Sequence, residues 1–86
     1  MSGQVRIPDE DLAVPSLPLG RYKHYKGNLY DVIGVGLDSE SNEPVVIYSP
    51  AGVSQVPYWV RPFAMFVETV TVDGQSVSRF EYLGEQ

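Results

Sequence analysis

Beyond residue 19 the chain alternates short apolar runs with turn residues, and nowhere does it keep the 3.6-residue apolar spacing of a real helix. Residues 21–26 are rich in tyrosine, and Lys26-Gly27-Asn28 supplies the turn residues of a tight hairpin. Residues 29–36 continue with Tyr30, Val32, Ile33 and Val35, where Gly34 and Gly36 predict a bend, a bulge or a close backbone approach. A polar loop over residues 38–43 leads to Val45-Val46-Ile47-Tyr48, a β-branched run that reads as a buried strand. Pro50-Ala51-Gly52 turns the chain into a further strand over residues 55–61, with Pro57 pointing to a sheet edge.

Residues 61–66 have the length of one helical or 3₁₀ turn, opened by Pro62, and Met65 and Phe66 are expected to plug one end of the core. An alternating strand over residues 67–72, the Asp73-Gly74 hairpin turn and a last strand over residues 77–83 complete the pattern. Five to six short strands, with turns about ten residues apart, predict a small all-β barrel. A barrel also leaves no exposed strand edge.

Residues 1–19 read differently. Pro8, Pro15 and Pro18 interrupt a stretch with little periodicity, so this is an extended, proline-bearing arm preceding the domain of residues 20–86. A single helical turn at residues 8–12 fits Pro8 followed by acids. Pro15-Ser16-Leu17-Pro18 matches a PxxP pattern, read as a plain extended arm against a polyproline-groove ligand.

Eighty-six residues bound the answer to one domain with a small core, burying roughly 60% of its unfolded surface. The absence of cysteine excludes disulfide staples and thiolate zinc sites. No run approaches a membrane span, the N-terminus lacks the pattern of a secretion signal, and the cytoplasm is the expected compartment.

Charge sharpens the picture. The net charge is −5, yet residues 20–30 carry Arg21, Lys23 and Lys26 with no acid. One positive window on a negative body argues against a non-specific grip on duplex nucleic acid, which needs many phosphate contacts. It leaves room for a local anion site.

The succession Gly20-x-Tyr22-x-His24-Tyr25-Lys26-Gly27-Asn28, then Val45-Val46, Trp59-Val60-Arg61-Pro62, Met65-Phe66-x-Glu68 and Asp73-Gly74 resembles the bacterial domain-of-unknown-function family DUF1653. The resemblance spans residues 20–83, with HYKGN and WVRPxxMFxE its densest blocks. It implies an SH3-like small barrel and no established activity. Where the family carries His-Ser-Glu-Thr in the polar loop, this chain has Asp38-Ser39-Glu40-Ser41. A two-histidine metal or acid–base pair is therefore out of reach.

His24 is the sole histidine, and without further ligands at suitable spacing no metal site or cofactor is expected. It reads either as a half-buried hydrogen-bonded residue beside the turn or as a ligand contact. No nucleophile–base or paired-carboxylate constellation can be assembled, so no enzyme is expected. Strand register puts Trp59 and Arg61 on one face. They are either a core plate with a scaffold ion pair, drawn from Arg61, Arg79, Glu68 and Glu40, or the wall and anion clamp of a groove.

The leading expectation is a non-enzymatic binding module, recognising a protein segment or small anionic ligand through His24, Tyr25, Lys26, Asn28, Trp59 and Arg61. The basic window instead neutralising the protein's own acids is the plainer alternative. Single-stranded nucleic-acid binding and a metal-assisted enzyme are the other classes weighed, with nucleic acid disfavoured by the charge. A monomer, or weak self-association through an open edge strand, is expected.

Overall fold

The computed structural model describes residues 14–52 and 55–85. Its elements are β1 (Gly20–His24), β2 (Leu29–Leu37), β3 (Pro44–Pro50), β4 (Trp59–Pro62), α1 (Phe63–Phe66), β5 (Thr69–Val72), β6 (Gln75–Ser78) and β7 (Phe80–Gly84). Five strands form one antiparallel sheet in the order β4-β3-β2-β1-β7, and β5 pairs with β6 in a second. The domain is small, all-β and barrel-like, but its two sheets do not close on each other. The expectation that closure removes strand edges is corrected: β4 and β7 are edges of the larger sheet.

Turn chemistry sets the hairpins. Asp73 and Gly74 both take positive φ (52° and 81°), the paired left-handed geometry whose twist suits a two-residue hairpin. In the polar loop, one oxygen of Asp38 accepts the backbone N–H groups of Glu40 and Ser41 at 2.8 and 3.1 Å. Those donors hold its carboxyl below the ordinary 3.8, and the loop closes on itself as a solvated turn. Between Val32 and Gly34 the β2–β3 register shifts, so Ile33 is a bulge. Val32 and Val35, three residues apart, can then both face the buried side, opposite Tyr48 and Val46.

Two elements differ from the sequence pattern. The strand expected over residues 77–83 is two strands broken at Arg79. There the Arg79 N–H donates to the Glu68 carbonyl at 3.0 Å, while the Arg79 carbonyl accepts the Tyr25 N–H at 2.9 Å. One residue thus ties both sheets, a tertiary demand that continuous local β-propensity conceals. The strand expected over residues 55–61 begins only at Trp59 and runs to Pro62.

The core is Tyr22, Val32, Val46, Tyr48, Phe66 and Phe80, with Leu17, Tyr30 and Phe63 packed against it. Met65 is 44% exposed, which corrects its assignment to the core. The helix has only four residues, and Phe63 and Phe66, three apart, share its inward face and leave Met65 outside.

Residues 14–19 run without regular structure against the sheet. Leu17 reaches the core, the Tyr22 hydroxyl donates to the Pro18 carbonyl at 2.7 Å, and the Tyr82 hydroxyl donates to that of Leu19 at 3.3 Å. The helical turn expected at residues 8–12 lies outside the described residues. Among the described residues no helix is long and apolar enough to cross a membrane.

Candidate functional site

The inward face of the large sheet carries an aromatic layer, and its register explains why. Directly opposed residues share a face, so Tyr22 meets Tyr30 and Tyr82, His24 meets Phe80, and Tyr48 meets Trp59. Phe66 closes over them, its ring stacked parallel on Phe80 at 4.0 Å between centroids. At the β4 end the layer opens into a groove of about 270 Å³ lined by Tyr30, Tyr48, Trp59 and Arg61.

Arg61 is the charged member. Its Nε donates to the Tyr48 hydroxyl at 3.4 Å, and its guanidinium carbon sits 5.6 Å from the centre of the Phe80 ring. Among the described residues it makes no ion pair; Glu68 is bound by Arg79 at 2.6 Å, and Glu40 lies exposed in the β2–β3 loop. Of the four ion-pair candidates, Arg79 and Glu68 pair with each other, and the pairing of Arg61 with Glu68 or Glu40 is corrected. The guanidinium thus lies over an aromatic ring, without a carboxylate among the described residues, in the lining of the groove. Trp59, 47% exposed, forms a wall of that groove and not a core plate.

His24 reaches this assembly from β1. Its ring lies edge-on to Phe80 at 4.9 Å and to Tyr30 at 6.5 Å, and it stacks obliquely on Tyr25 at 4.6 Å. Its Nδ1 accepts the backbone N–H of Lys26 at 3.1 Å, so Nδ1 is the unprotonated nitrogen of the neutral ring. Burial first, then the positive charges of Arg61, Arg79 and Lys26, hold its pKa below the ordinary 6.5. His24 is a neutral aromatic neighbour of the Arg61 guanidinium, joined to it across the Phe80 ring.

The other residues singled out in the sequence are less convergent. Lys26 is exposed in the β1–β2 turn, its ammonium 5.8 Å from the Tyr25 ring centre. Asn28 is exposed too, and its carbonyl accepts the His24 N–H at 2.8 Å, closing the hairpin. Of the basic window, Arg21 is bonded to Asp31 on the neighbouring strand at 2.6 Å. Sequence reasoning missed Tyr30, Tyr48 and Phe80 as site residues. The signal for Tyr48 and Trp59 was present as two strands of matching alternation, but their pairing depends on the loop between them. Among the described residues no three His, Asp or Glu side chains gather as a metal-ligand set.

The protein-family model described as "Protein of unknown function (DUF1653)" matches residues 20–82. Among solved structures, the chain is similar to the crystal structure of a protein belonging to DUF1653 from Bordetella bronchiseptica. The two are 31% identical with a TM-score of 0.74, over 81% of this chain and 91% of that one. No curated protein matches the chain.

Proposed function

The chain belongs to the DUF1653 family, and on that footing we propose that it is a non-enzymatic binding module whose Trp59–Arg61 groove takes a small anionic ligand. One observation carries the reading: Arg61 stands beside a half-exposed indole with no carboxylate partner among the described residues. Its Nε is committed to Tyr48, which leaves the terminal nitrogens to fork onto a carboxylate or phosphate. Tyr30, Tyr48 and Trp59 supply flat apolar walls for the body of the ligand.

At about 270 Å³ the groove suits a compact planar acid better than a whole nucleotide. A carboxylate-bearing side chain or terminus of a protein segment satisfies the same chemistry. A cysteine-free small domain suits the bacterial cytoplasm, which is the compartment proposed.

Trp59 is the only tryptophan, so fluorescence excited beyond the tyrosine absorption band reports on a wall of this groove. Titration with benzoate, 4-hydroxybenzoate, phosphate and acetate should give saturable change with the planar acids. The Arg61→Met variant should keep its fold and lose that response. Identical responses in the parent and Arg61→Met proteins would remove the proposal.

A further inference from the structure

A second and larger cavity, of about 490 Å³, opens where β1 and β7 meet the β5–β6 hairpin. Val72 and Val77 form its apolar wall on the hairpin. Register explains their shared face, since Val77 opposes Val70, two residues before Val72. Tyr25 lines the cavity from the β1–β2 turn.

Its charges are arranged unusually. Lys23 and Glu81 are directly opposed on β1 and β7, a relation that places Cβ atoms roughly 4.5–5.5 Å apart. Both line the cavity and both are exposed. Yet neither makes an ion pair among the described residues, where the two ion pairs are Arg21–Asp31 and Arg79–Glu68. An exposed ammonium and carboxylate thus stand side by side at the mouth of a pocket that Tyr25, Val72 and Val77 make partly apolar and that His24 and Ser78 also line, and neither charge is paired among the described residues.

A ligand with one charge satisfies only half of that mouth. A zwitterion with an apolar tail satisfies all of it: its carboxylate faces Lys23, its ammonium faces Glu81, and its tail lies on Val72, Val77 and the Tyr25 ring. Engaging such a ligand breaks no ion pair between Lys23 and Glu81, and even an exposed pair there would contribute little to stability. We propose that this cavity is a second binding site, for an apolar α-amino acid; it shares no lining residue with the Trp59–Arg61 groove, although His24, which backs that groove, also lines it.

The test is a ¹³C-methyl and ¹⁵N-amide titration of the full chain with L-leucine. Two matched probes each lack one charge: 4-methylpentanoate has no ammonium and 3-methylbutylamine has no carboxylate. Leucine should shift the Val72 and Val77 methyls and the Lys23 and Glu81 amides saturably, with the Trp59 indole unmoved. Each singly charged probe should bind at least about tenfold more weakly, a difference of about 1.4 kcal/mol. Lys23→Met and Glu81→Gln should each weaken leucine by a similar factor, and Lys23→Arg should retain it. No shift at these groups with leucine, or equal binding of the three probes, overturns the proposal.

Discussion

The Arg61 guanidinium carbon lies 5.6 Å from the centre of the Phe80 ring, and the opposite strand brings His24 to the same ring at 4.9 Å. Phe80 is therefore both the centre of the core and the floor on which the two cationic-capable residues of the candidate site are mounted. The electron-rich ring face draws the guanidinium in, while the edge-on imidazole is kept neutral by burial and by that same positive charge. Core and site share one side chain.

Separating the two roles gives the first prediction. Arg61→Met should cost about 1–2 kcal/mol of folding stability, since a partly exposed cation–π contact and one long hydrogen bond are what it removes. The same variant should lose planar-acid binding altogether. Urea denaturation beside fluorescence titration checks both halves. A loss of several kcal/mol would make Arg61 scaffold.

Phe80 and Trp59 should behave in opposite ways. Phe80 is 7% exposed and stacked on Phe66, so Phe80→Ala should cost about 3–5 kcal/mol, enough to unfold much of so small a domain. Trp59→Ala, at a position 47% exposed, should cost about 1 kcal/mol or less and chiefly affect the groove. Chemical denaturation of the two variants decides it, and equal losses would contradict the division between floor and wall.

The pH dependence follows from His24. Its folded pKa lies below the ordinary 6.5, so above that value both states are neutral there and stability does not depend on this group. As pH falls below 6.5 the unfolded chain takes the proton first, and stability declines until pH passes below the folded pKa. Asp38, whose folded pKa lies under 3.8, acts in a separate window, losing its contribution as pH falls through that folded value. Midpoints of urea unfolding measured between pH 7 and pH 5 should fall, and His24→Gln should flatten the slope. An unchanged slope in that variant would assign the effect elsewhere.

Among the described residues Gly20 is the most constrained glycine. It sits at φ +133°, and a methyl group there would stand 2.5 Å from the carbonyl oxygen of Gly84 on the neighbouring strand. Gly27, at φ +112°, has open space around it. Gly20→Ala should therefore destabilise by more than the roughly 1–3 kcal/mol of backbone strain alone, and Gly27→Ala by about that strain. Thermal unfolding of the pair, with Gly27→Ala equal to or worse than Gly20→Ala, would sink the argument.

Much of the strand succession was legible because turn residues write their geometry locally. Asp73-Gly74 and Lys26-Gly27-Asn28 mark hairpins wherever they occur between strand-forming runs, and Pro62 announces the helical turn. Arg79 was not legible: nothing in Ser78-Arg79-Phe80 signals that the chain must leave one sheet for another, a requirement that appears only when Glu68 and Tyr25 are in place. Met65 was misplaced because two adjacent large apolar residues cannot both face inward from a single turn. In the site, Trp59 and Arg61 shared a face by simple alternation. Tyr30 and Tyr48 join them through strand pairings whose register the alternation of residues does not give, the β2–β3 register shifting at Ile33.

On the proposed function, Trp59 and Arg61 act as one anion-binding groove backed by His24. The most direct test is a ¹⁵N–¹H correlation spectrum recorded with and without a small planar acid such as benzoate, observing the Trp59 indole N–H, the Arg61 Nε–H and the His24 amide. All three signals should shift together and saturate at a single apparent Kd. Movement of the backbone amides elsewhere, with the Trp59 and Arg61 side chains unmoved, would contradict the claim.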